Sequence, residues 1–116
     1  MLKINKEEVE RFLQETVFDV KPGQGKVSFP IIERIYRRLQ DGHEFGSIQV
    51  SKGIIVDGHH RYVCLKLLGY KTEYVSGGGL NTSVRTVFDW KEIQVDAGDY
   101  DTFEYKEIYR QRYDKE

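Results

Sequence analysis

The sequence predicts an α+β fold, a small mixed β-sheet packed with helices, in a single domain of residues 1–116. One observation is an apolar stripe at helical spacing after Pro30, formed by Ile31, Ile32, Ile35 and Leu39. Another is a pair of short apolar runs on either side of residues 51–53, which predicts two strands joined by a turn. A further helical stretch follows them directly. A chain of 116 residues can bury a core without the help of disulfides.

Start and stop signals place the first two helices. Asn5 and Glu8 have the spacing of a capping box, which predicts a helix that begins after Asn5. Pro30 fits the first turn of the second helix, and Gly42 ends it.

The same signals predict two more helices. The third helix covers residues 58–68 and stops at Gly69. A C-terminal helix at about residues 102–114 is expected because Asp101 and Glu104 repeat the capping-box spacing.

The remaining segments divide into strands and loops. "KTEYV" at 71–75 predicts a strand, "SGGGLN" at 76–81 a loop, and "SVRTVFDWKEIQV" at 83–95 a strand-rich stretch. "KPGQGK" predicts an exposed loop, whose Lys21 and Lys26 offer an alternative role in meeting an anion.

Charge and cysteine content exclude some classes of protein. Eighteen basic and 19 acidic residues give a net charge of -1, which is not typical of a strongly basic nucleic-acid binder. A basic ridge is still predicted, because Arg34, Arg37 and Arg38 share a helix face opposite the isoleucine stripe. Cys64 is the single cysteine, which excludes an internal disulfide framework and a Cys-rich zinc site, and we expect it in the core.

Targeting signals are not found in the sequence. The N-terminus alternates charged and apolar residues, unlike a signal peptide, and no run approaches the ~18 apolar residues of a transmembrane helix. We therefore expect a cytoplasmic protein that makes no membrane contact.

The stretch "VDGHHRY" is the strongest candidate site. A strand ends there, Gly58 makes a sharp turn, and a helix begins whose first N–H groups have no partner within the helix. Those donors attract anions, and Arg61 in the first turn would oppose the helix dipole unless an anion balanced it. The turn is therefore predicted to bind a phosphate or a carboxylate.

The neighbouring side chains leave alternatives open. Asp57 is either a helix cap that accepts from the main chain of His60, or a magnesium ligand or general base. His60 falls on the buried helix face with Cys64, whereas His59 points roughly 100° away and is freer to meet a ligand. A zinc site is disfavoured because adjacent histidines diverge on a helix and only His43 remains as a third.

The order of these motifs resembles the ParB/sulfiredoxin superfamily. The resemblance covers about residues 27–75 and rests on the helix "IIERIYRRLQDG" followed by "SIQVSKGIIVDGHHRYVCLKLLGY". It implies a nucleotide-phosphate cradle in which Gly58, His59, His60 and Arg61 meet the phosphates. His59 stands where sulfiredoxins have a catalytic cysteine, and the Asp-Gly-His-x-Arg form is similar to ParB-like free-serine kinases and ParB-like nucleases.

The resemblance to these kinases and nucleases implies that residues of the turn catalyse a reaction of phosphate groups. Asp57 and His59 are the candidate catalytic residues, with Asp57 as the ligand of a Mg²⁺ ion and ATP or CTP as the nucleotide. Glu33 and Glu44 are candidates for an additional base by proximity in the sequence.

Three functional classes follow from the sequence. The first is an enzyme acting on a nucleotide or on a phosphodiester of nucleic acid, which includes toxin-domain nucleases. The second is a module that binds such a phosphate without chemistry. The third is an interaction domain, a homodimer or a partner-binding protein, that uses the helix carrying Tyr105, Tyr109 and Tyr113.

Overall fold

The computed structural model describes residues 3–76 and 87–113, with the main chain alone at Tyr113. The helices are α1 (Lys6–Glu15), α2 (Phe29–Gln40), α3 (His59–Leu68) and α4 (Phe103–Tyr113), with a short 3₁₀ helix at Trp90–Glu92. The strands are β1 (Lys26–Ser28), β2 (Ile48–Ser51), β3 (Ile54–Asp57), β4 (Tyr74–Ser76) and β5 (Gln94–Asp96).

The predicted α+β class is confirmed, with the strands divided between two small sheets. The first sheet is mixed: β2 lies in the middle, antiparallel to β3 and parallel to β4. The second is a parallel pair of β1 and β5, so two segments more than 60 residues apart in the sequence lie side by side. The predicted turn at residues 51–53 joins β2 to β3, with Lys52 and Gly53 both at positive φ.

The first two helices begin as their caps predict. Asn5 accepts from the Glu8 N–H at 2.8 Å, and the Glu8 carboxylate accepts from the Asn5 N–H at 3.0 Å, which confirms the capping box. α2 starts one residue before Pro30, capped by the Ser28 hydroxyl, and ends at Gln40 just before Gly42.

The core forms around α3 and the inner faces of α1 and α2. Tyr62, Val63 and Cys64 are fully buried, and the Tyr62 ring stacks on Trp90 with centroids 5.5 Å apart. The Cys64 thiol donates to the Ile32 carbonyl at 3.2 Å, and burial raises the pKa of that thiol. The predicted core position of Cys64 is confirmed.

One segment folds differently from its prediction. Of the strand-rich stretch at 83–95, residues 83–86 lie outside the described residues, Trp90–Glu92 is a 3₁₀ turn, and only its end is a strand. The Asp89 carboxylate accepts from the Lys91 N–H at 2.9 Å, and this local cap outweighs the β propensity of the neighbours. The predicted "SGGGLN" loop lies, after Ser76, outside the described residues.

The segment predicted as an exposed loop is partly built into the fold. Lys21 pairs with Ile54 through main-chain bonds at the edge of β3, and Pro22 is fully buried. This places the "KPGQGK" stretch beside the start of α3.

α4 forms where predicted, but its cap is different. Thr102, not Asp101, caps the helix by accepting from the Tyr105 N–H at 3.3 Å. The predicted capping box of Asp101 and Glu104 is therefore wrong, because the Asp101 carboxylate is engaged elsewhere, by Arg34. Across the described residues, no helix has both the length and the apolar character needed to cross a membrane.

Candidate anion-binding site

The turn between β3 and α3 has the shape that the sequence predicts. Gly58 precedes α3 with φ of +102°, in the left-handed region that favours glycine. No side chain caps the helix, so of the alternatives for Asp57 the one in which it accepts from the His60 N–H is wrong. The first intrahelical bond is from the Tyr62 N–H to the Gly58 carbonyl at 2.8 Å, which leaves the earlier N–H groups of the turn for another acceptor.

Arg61 folds back across the turn. Its Nη2 donates to the Asp57 carboxylate at 2.9 Å, and its Nη1 lies 3.5 Å from the Gly46 carbonyl. A Cβ at Gly58 would lie 2.7 Å from the Arg61 Nη2 and 2.9 Å from Ile48 Cδ1. The backbone conformation therefore favours glycine here, and a Cβ at this position would push the guanidinium aside.

His59 is more buried than the sequence predicts. Its ring is 7% exposed, and its Nε2 accepts from the Gly23 N–H at 2.9 Å. The expectation that His59 is the freer of the two histidines is wrong, because the "KPGQGK" stretch covers the helix face that would otherwise meet solvent. Burial, together with the nearby ring of His60, lowers the pKa of His59 to about 4.

His60 makes an equivalent contact on the other side of the helix. Its Nε2 accepts from the Ser28 N–H at 2.9 Å, at the junction of β1 and α2. Burial lowers the pKa of His60 to about 4, although the nearby Asp101 acts in the opposite direction. A neutral imidazole that accepts at Nε2 carries its proton on Nδ1, so both rings are hydrogen-bond donors at their second nitrogen.

The turn opens into a cleft of about 490 Å³ between α2, α3 and α4. Its walls include the four predicted phosphate-binding residues and Asp57, so the structure brings all five together. Sequence reasoning missed the aromatic and polar groups contributed by distant segments: Gln24, Phe45, Asp101, Tyr105 and Tyr109 line the same cleft.

The predicted basic ridge on α2 is divided. Arg34 and Arg38 line the cleft, whereas Arg37 does not. The Arg38 guanidinium lies 4.8 Å from the centroid of the Phe45 ring, a cation–π contact. The cleft therefore combines the arginines of α2 with Arg61 at the start of α3.

Arg34 is held by two carboxylates that the sequence pattern did not associate with it. Its Nη1 donates to Asp99 at 3.0 Å and to Asp101 at 3.2 Å, and its Nη2 donates to the second oxygen of Asp99. The hydrogen bond from Arg34 is the main cause that lowers the pKa of Asp99.

Asp57, the predicted metal ligand, also forms an ion pair with Arg61. The Asp57 side chain is 64% exposed and uses one oxygen for Arg61, which leaves the other oxygen for a ligand-bound cation. Within residues 3–76 and 87–113, no three His, Cys, Asp or Glu side chains converge into a metal cage. These residues fit a Mg²⁺ ion that is carried by phosphate oxygens and touched by one carboxylate.

The remaining candidates lie elsewhere. Glu33 is exposed and does not line the cleft. Glu44 and His43 line a separate cavity near the start of β2. Neither carboxylate is placed to serve as an additional base in this cleft.

Comparisons with known proteins returned no match: no family model, no curated protein and no solved structure is similar to this chain. The resemblance to the ParB/sulfiredoxin superfamily therefore stays a prediction that rests on the quoted residues.

Proposed function

We propose that this protein binds a phosphate group of a nucleotide or nucleic acid at the start of α3. The observation that carries the proposal is the position of Arg61, whose guanidinium lies against Gly58 beside a helix N-terminus that no side chain caps. Unpaired N–H groups, the positive end of the helix dipole and a guanidinium fork all favour anionic oxygens.

The charges around the cleft support an anionic ligand. Three arginines line it, and since Arg34 is already bound by Asp99 and Asp101, Arg38 and Arg61 are the two that support an anionic ligand. The Arg38 guanidinium lies over the Phe45 ring and pairs with no carboxylate of residues 3–76 and 87–113, so its charge is available to a ligand. Arg61 is partly neutralised by Asp57, but through a pair that is exposed on the carboxylate side and therefore weak.

Aromatic side chains favour a nucleotide within the broader class of phosphates. Phe45, Tyr105 and Tyr109 line the same cleft, and flat rings of this kind stack on bases. The net charge of -1 gives little long-range attraction for a long polyanion, so a mononucleotide such as ATP or CTP is favoured over duplex DNA.

The proposed chemistry is Mg²⁺-dependent phosphoryl transfer or phosphodiester hydrolysis. Asp57 would hold the ion through its exposed oxygen, and the ion would neutralise charge on the transferred phosphoryl group. His59 and His60 would act as neutral donors through Nδ1, since Nε2 of each ring already accepts a main-chain N–H. This makes His59 suited to hydrogen-bond a phosphate oxygen rather than to remove a proton.

A thermal-shift comparison tests the binding. Wild-type protein is melted with ATP, CTP, inorganic phosphate and short single-stranded DNA, with and without Mg²⁺, and the panel is repeated on Arg61→Gln. A ligand at 100 times its Kd stabilises the folded state by about 2.7 kcal/mol, a shift of several degrees in Tm. Arg11→Gln is the matched control, because Arg11 is an exposed arginine on α1 that lies outside the cleft.

The expected result is a shift in wild type and Arg11→Gln that Arg61→Gln loses. Equal shifts in all three proteins, or no shift in the wild type, would contradict the proposal. Asp57→Asn then separates chemistry from binding: an enzyme loses turnover but keeps the nucleotide shift, whereas a non-catalytic module shows no turnover in either protein.

A second candidate function is protein interaction through α4. Tyr105 is 62% exposed and Ile108 is 58% exposed, and their spacing of three residues puts both side chains on one face of the helix. Light scattering over a concentration series, with Ile108→Ser as the variant, tests whether this face joins two copies. If the protein is monomeric at every concentration, α4 does not join two copies, and a partner of this surface would have to be a different protein.

A further inference from the structure

Arg34 lines the cleft with Arg38 and Arg61, but two carboxylates already bind it. Two of its nitrogens meet the two oxygens of Asp99, and one of these nitrogens also meets Asp101. A guanidinium binds phosphate with the same two-pronged geometry. Asp99 and Asp101 thus occupy a position in which the oxygens of a ligand phosphate would be equally well bound.

Among the described residues, the segment that carries these carboxylates makes its other hydrogen bonds within itself or to Ser28. The Ser28 hydroxyl donates to the Gly98 carbonyl at 2.8 Å, and the Tyr100 N–H lies 3.4 Å from the same hydroxyl. In the helix that follows, no described side chain is buried. Moving Asp99 and Asp101 away from Arg34 would therefore expose little apolar surface.

The ion pairs themselves are sheltered. The side chains of Arg34, Asp99 and Asp101 are each less than a quarter exposed, so their charges interact more strongly than those of surface pairs. A group that releases Arg34 must replace this interaction with one of similar strength. A phosphate group that carries two negative charges can do so, whereas a neutral ligand cannot.

We propose that Asp99 and Asp101 are internal anions that compete with the ligand for Arg34. Arg34 is then a further ligand-binding residue, reached only when a phosphate displaces the two carboxylates. This inference rests on the proposed phosphate site at Arg61 and deepens it. A single phosphate at the start of α3 leaves the pairs intact, whereas a longer anion extends to Arg34 and releases the segment before α4.

Calorimetric titration with phosphate and with pyrophosphate tests the competition. The variant is Asp99→Asn/Asp101→Asn, which removes both charges. Each asparagine keeps one side-chain oxygen, so residue 99 can still accept from the main-chain N–H of residue 101, and residue 101 from that of Thr102. The matched control is Glu104→Gln/Glu107→Gln, which removes two charges from α4 at residues that do not contact Arg34. We expect the Asp variant to bind pyrophosphate about tenfold more tightly than wild type, with phosphate affinity close to that of the control.

A second measurement does not depend on any variant. In the NMR spectrum of the wild type, the main-chain amide signals of Asp99 and Asp101 should shift on addition of pyrophosphate and stay in place with phosphate. The competition is overturned if the Asp variant and the control bind pyrophosphate equally and these amides do not respond. If phosphate and pyrophosphate both bind the wild type and Arg61→Gln abolishes the binding, the proposed function stands even when the competition at Arg34 is overturned. If neither anion binds any of the proteins, the proposed function and the competition are both overturned.

Discussion

α3 and α4 have nearly the same length, ten and eleven residues, but different forces hold them in place. α3 buries three apolar side chains and His59 in the core. α4 buries none of its described side chains, and its connection to α2 is polar: Arg34 binds Asp99 and Asp101 just before the helix and lies 5.9 Å from the Tyr109 ring. The cleft lies between them, so one wall is fixed by packing and the other by charge.

This difference indicates where the molecule can respond to a ligand. A helix fixed by close packing moves only when the core reorganises, whereas a helix fixed by ion pairs moves when another ion takes over its partner. We therefore expect the α3 side of the cleft to be preorganised and the α4 side to adjust. Four predictions test that contrast, beginning with the largest effect.

Among single substitutions, truncation of Tyr62 should have the largest effect on stability. The ring is fully buried against Trp90, and its hydroxyl donates to Asp19, which also accepts from Tyr74. Tyr62→Ala removes both packing and hydrogen bond and should lower the free energy of unfolding by about 3–5 kcal/mol. Chemical denaturation checks this, with Tyr105→Ala on α4 expected to stay within about 0.5 kcal/mol of wild type.

Tyr62→Phe divides the effect into its parts. It keeps the ring and removes the hydroxyl, so it should lower the free energy of unfolding by about 1 kcal/mol. If Tyr105→Ala were as destabilising as Tyr62→Ala, α4 would belong to the packed core and the contrast between the helices would fail.

The glycines at the two ends of α3 give the second prediction. Gly58 and Gly69 both have positive φ, but an added Cβ would clash with Arg61 and Ile48 at Gly58 and meet nothing within 4 Å at Gly69. Gly69→Ala should cost about 1 kcal/mol of backbone strain, and Gly58→Ala about 1–2 kcal/mol more, because the ends of the Arg61 and Ile48 side chains must also shift. Phosphate binding should be lost in Gly58→Ala alone, as its Cβ displaces the guanidinium. Similar melting curves and similar binding for the two variants would contradict this account of the turn.

The acid sensitivity of α3 gives the third prediction. Both His59 and His60 have a pKa of about 4 in the folded protein, below the usual 6.5, so the unfolded chain takes up protons that the folded protein refuses. The stability they contribute is complete above pH 6.5 and is lost as the pH falls toward 4, by at most about 3 kcal/mol for each ring. Denaturant midpoints measured from pH 7.5 down to about 2 check this.

His60→Gln is the matched variant for the pH series. Its amide oxygen can accept from the Ser28 N–H in place of Nε2, and it does not titrate. Its loss of stability between pH 6.5 and 4 should be about half that of wild type. Below pH 4 both proteins should lose stability further, because hydrogen bonds from Tyr62 and Tyr74 outweigh burial and lower the pKa of Asp19 to about 2. An unchanged pH profile in His60→Gln would show that this ring is not sheltered.

The same contrast explains what the sequence predicted well. The caps of α1 and α2, the strand turn at 51–53 and the glycines around α3 are all local signals, since the interacting groups lie within four residues of one another. The position of the candidate site at Gly58 and Arg61 followed from such signals. In the structure, both residues line one cleft.

These local signals do not predict contacts between residues that are far apart in the sequence. Arg34 lies 65 and 67 positions from Asp99 and Asp101, and no periodic pattern links them. The exposure of His59 was misjudged for the same reason, because helix geometry gives the direction of a side chain but not the segment that covers it. The Nε2 of His59 accepts from the main-chain N–H of Gly23, and any residue except proline offers such a donor, so no residue type marks the contact in the sequence.

Caps on α1 and α4 provide the fourth prediction, the smallest in its effect on the whole protein. Asn5→Ala and Thr102→Ala each remove a side-chain cap worth about 1 kcal/mol. α1 packs Val9 and Leu13 into the core, so the loss at Asn5 should appear in the global free energy of unfolding. α4 has no buried side chain among those described, so the loss at Thr102 should leave Tm almost unchanged and speed amide exchange in α4 about fivefold. Hydrogen exchange measured by mass spectrometry separates the two cases. Equal decreases in Tm for the two variants would mean that α4 unfolds with the core, and that the wall of the cleft formed by Tyr105 and Tyr109 is as rigid as the wall formed by α3.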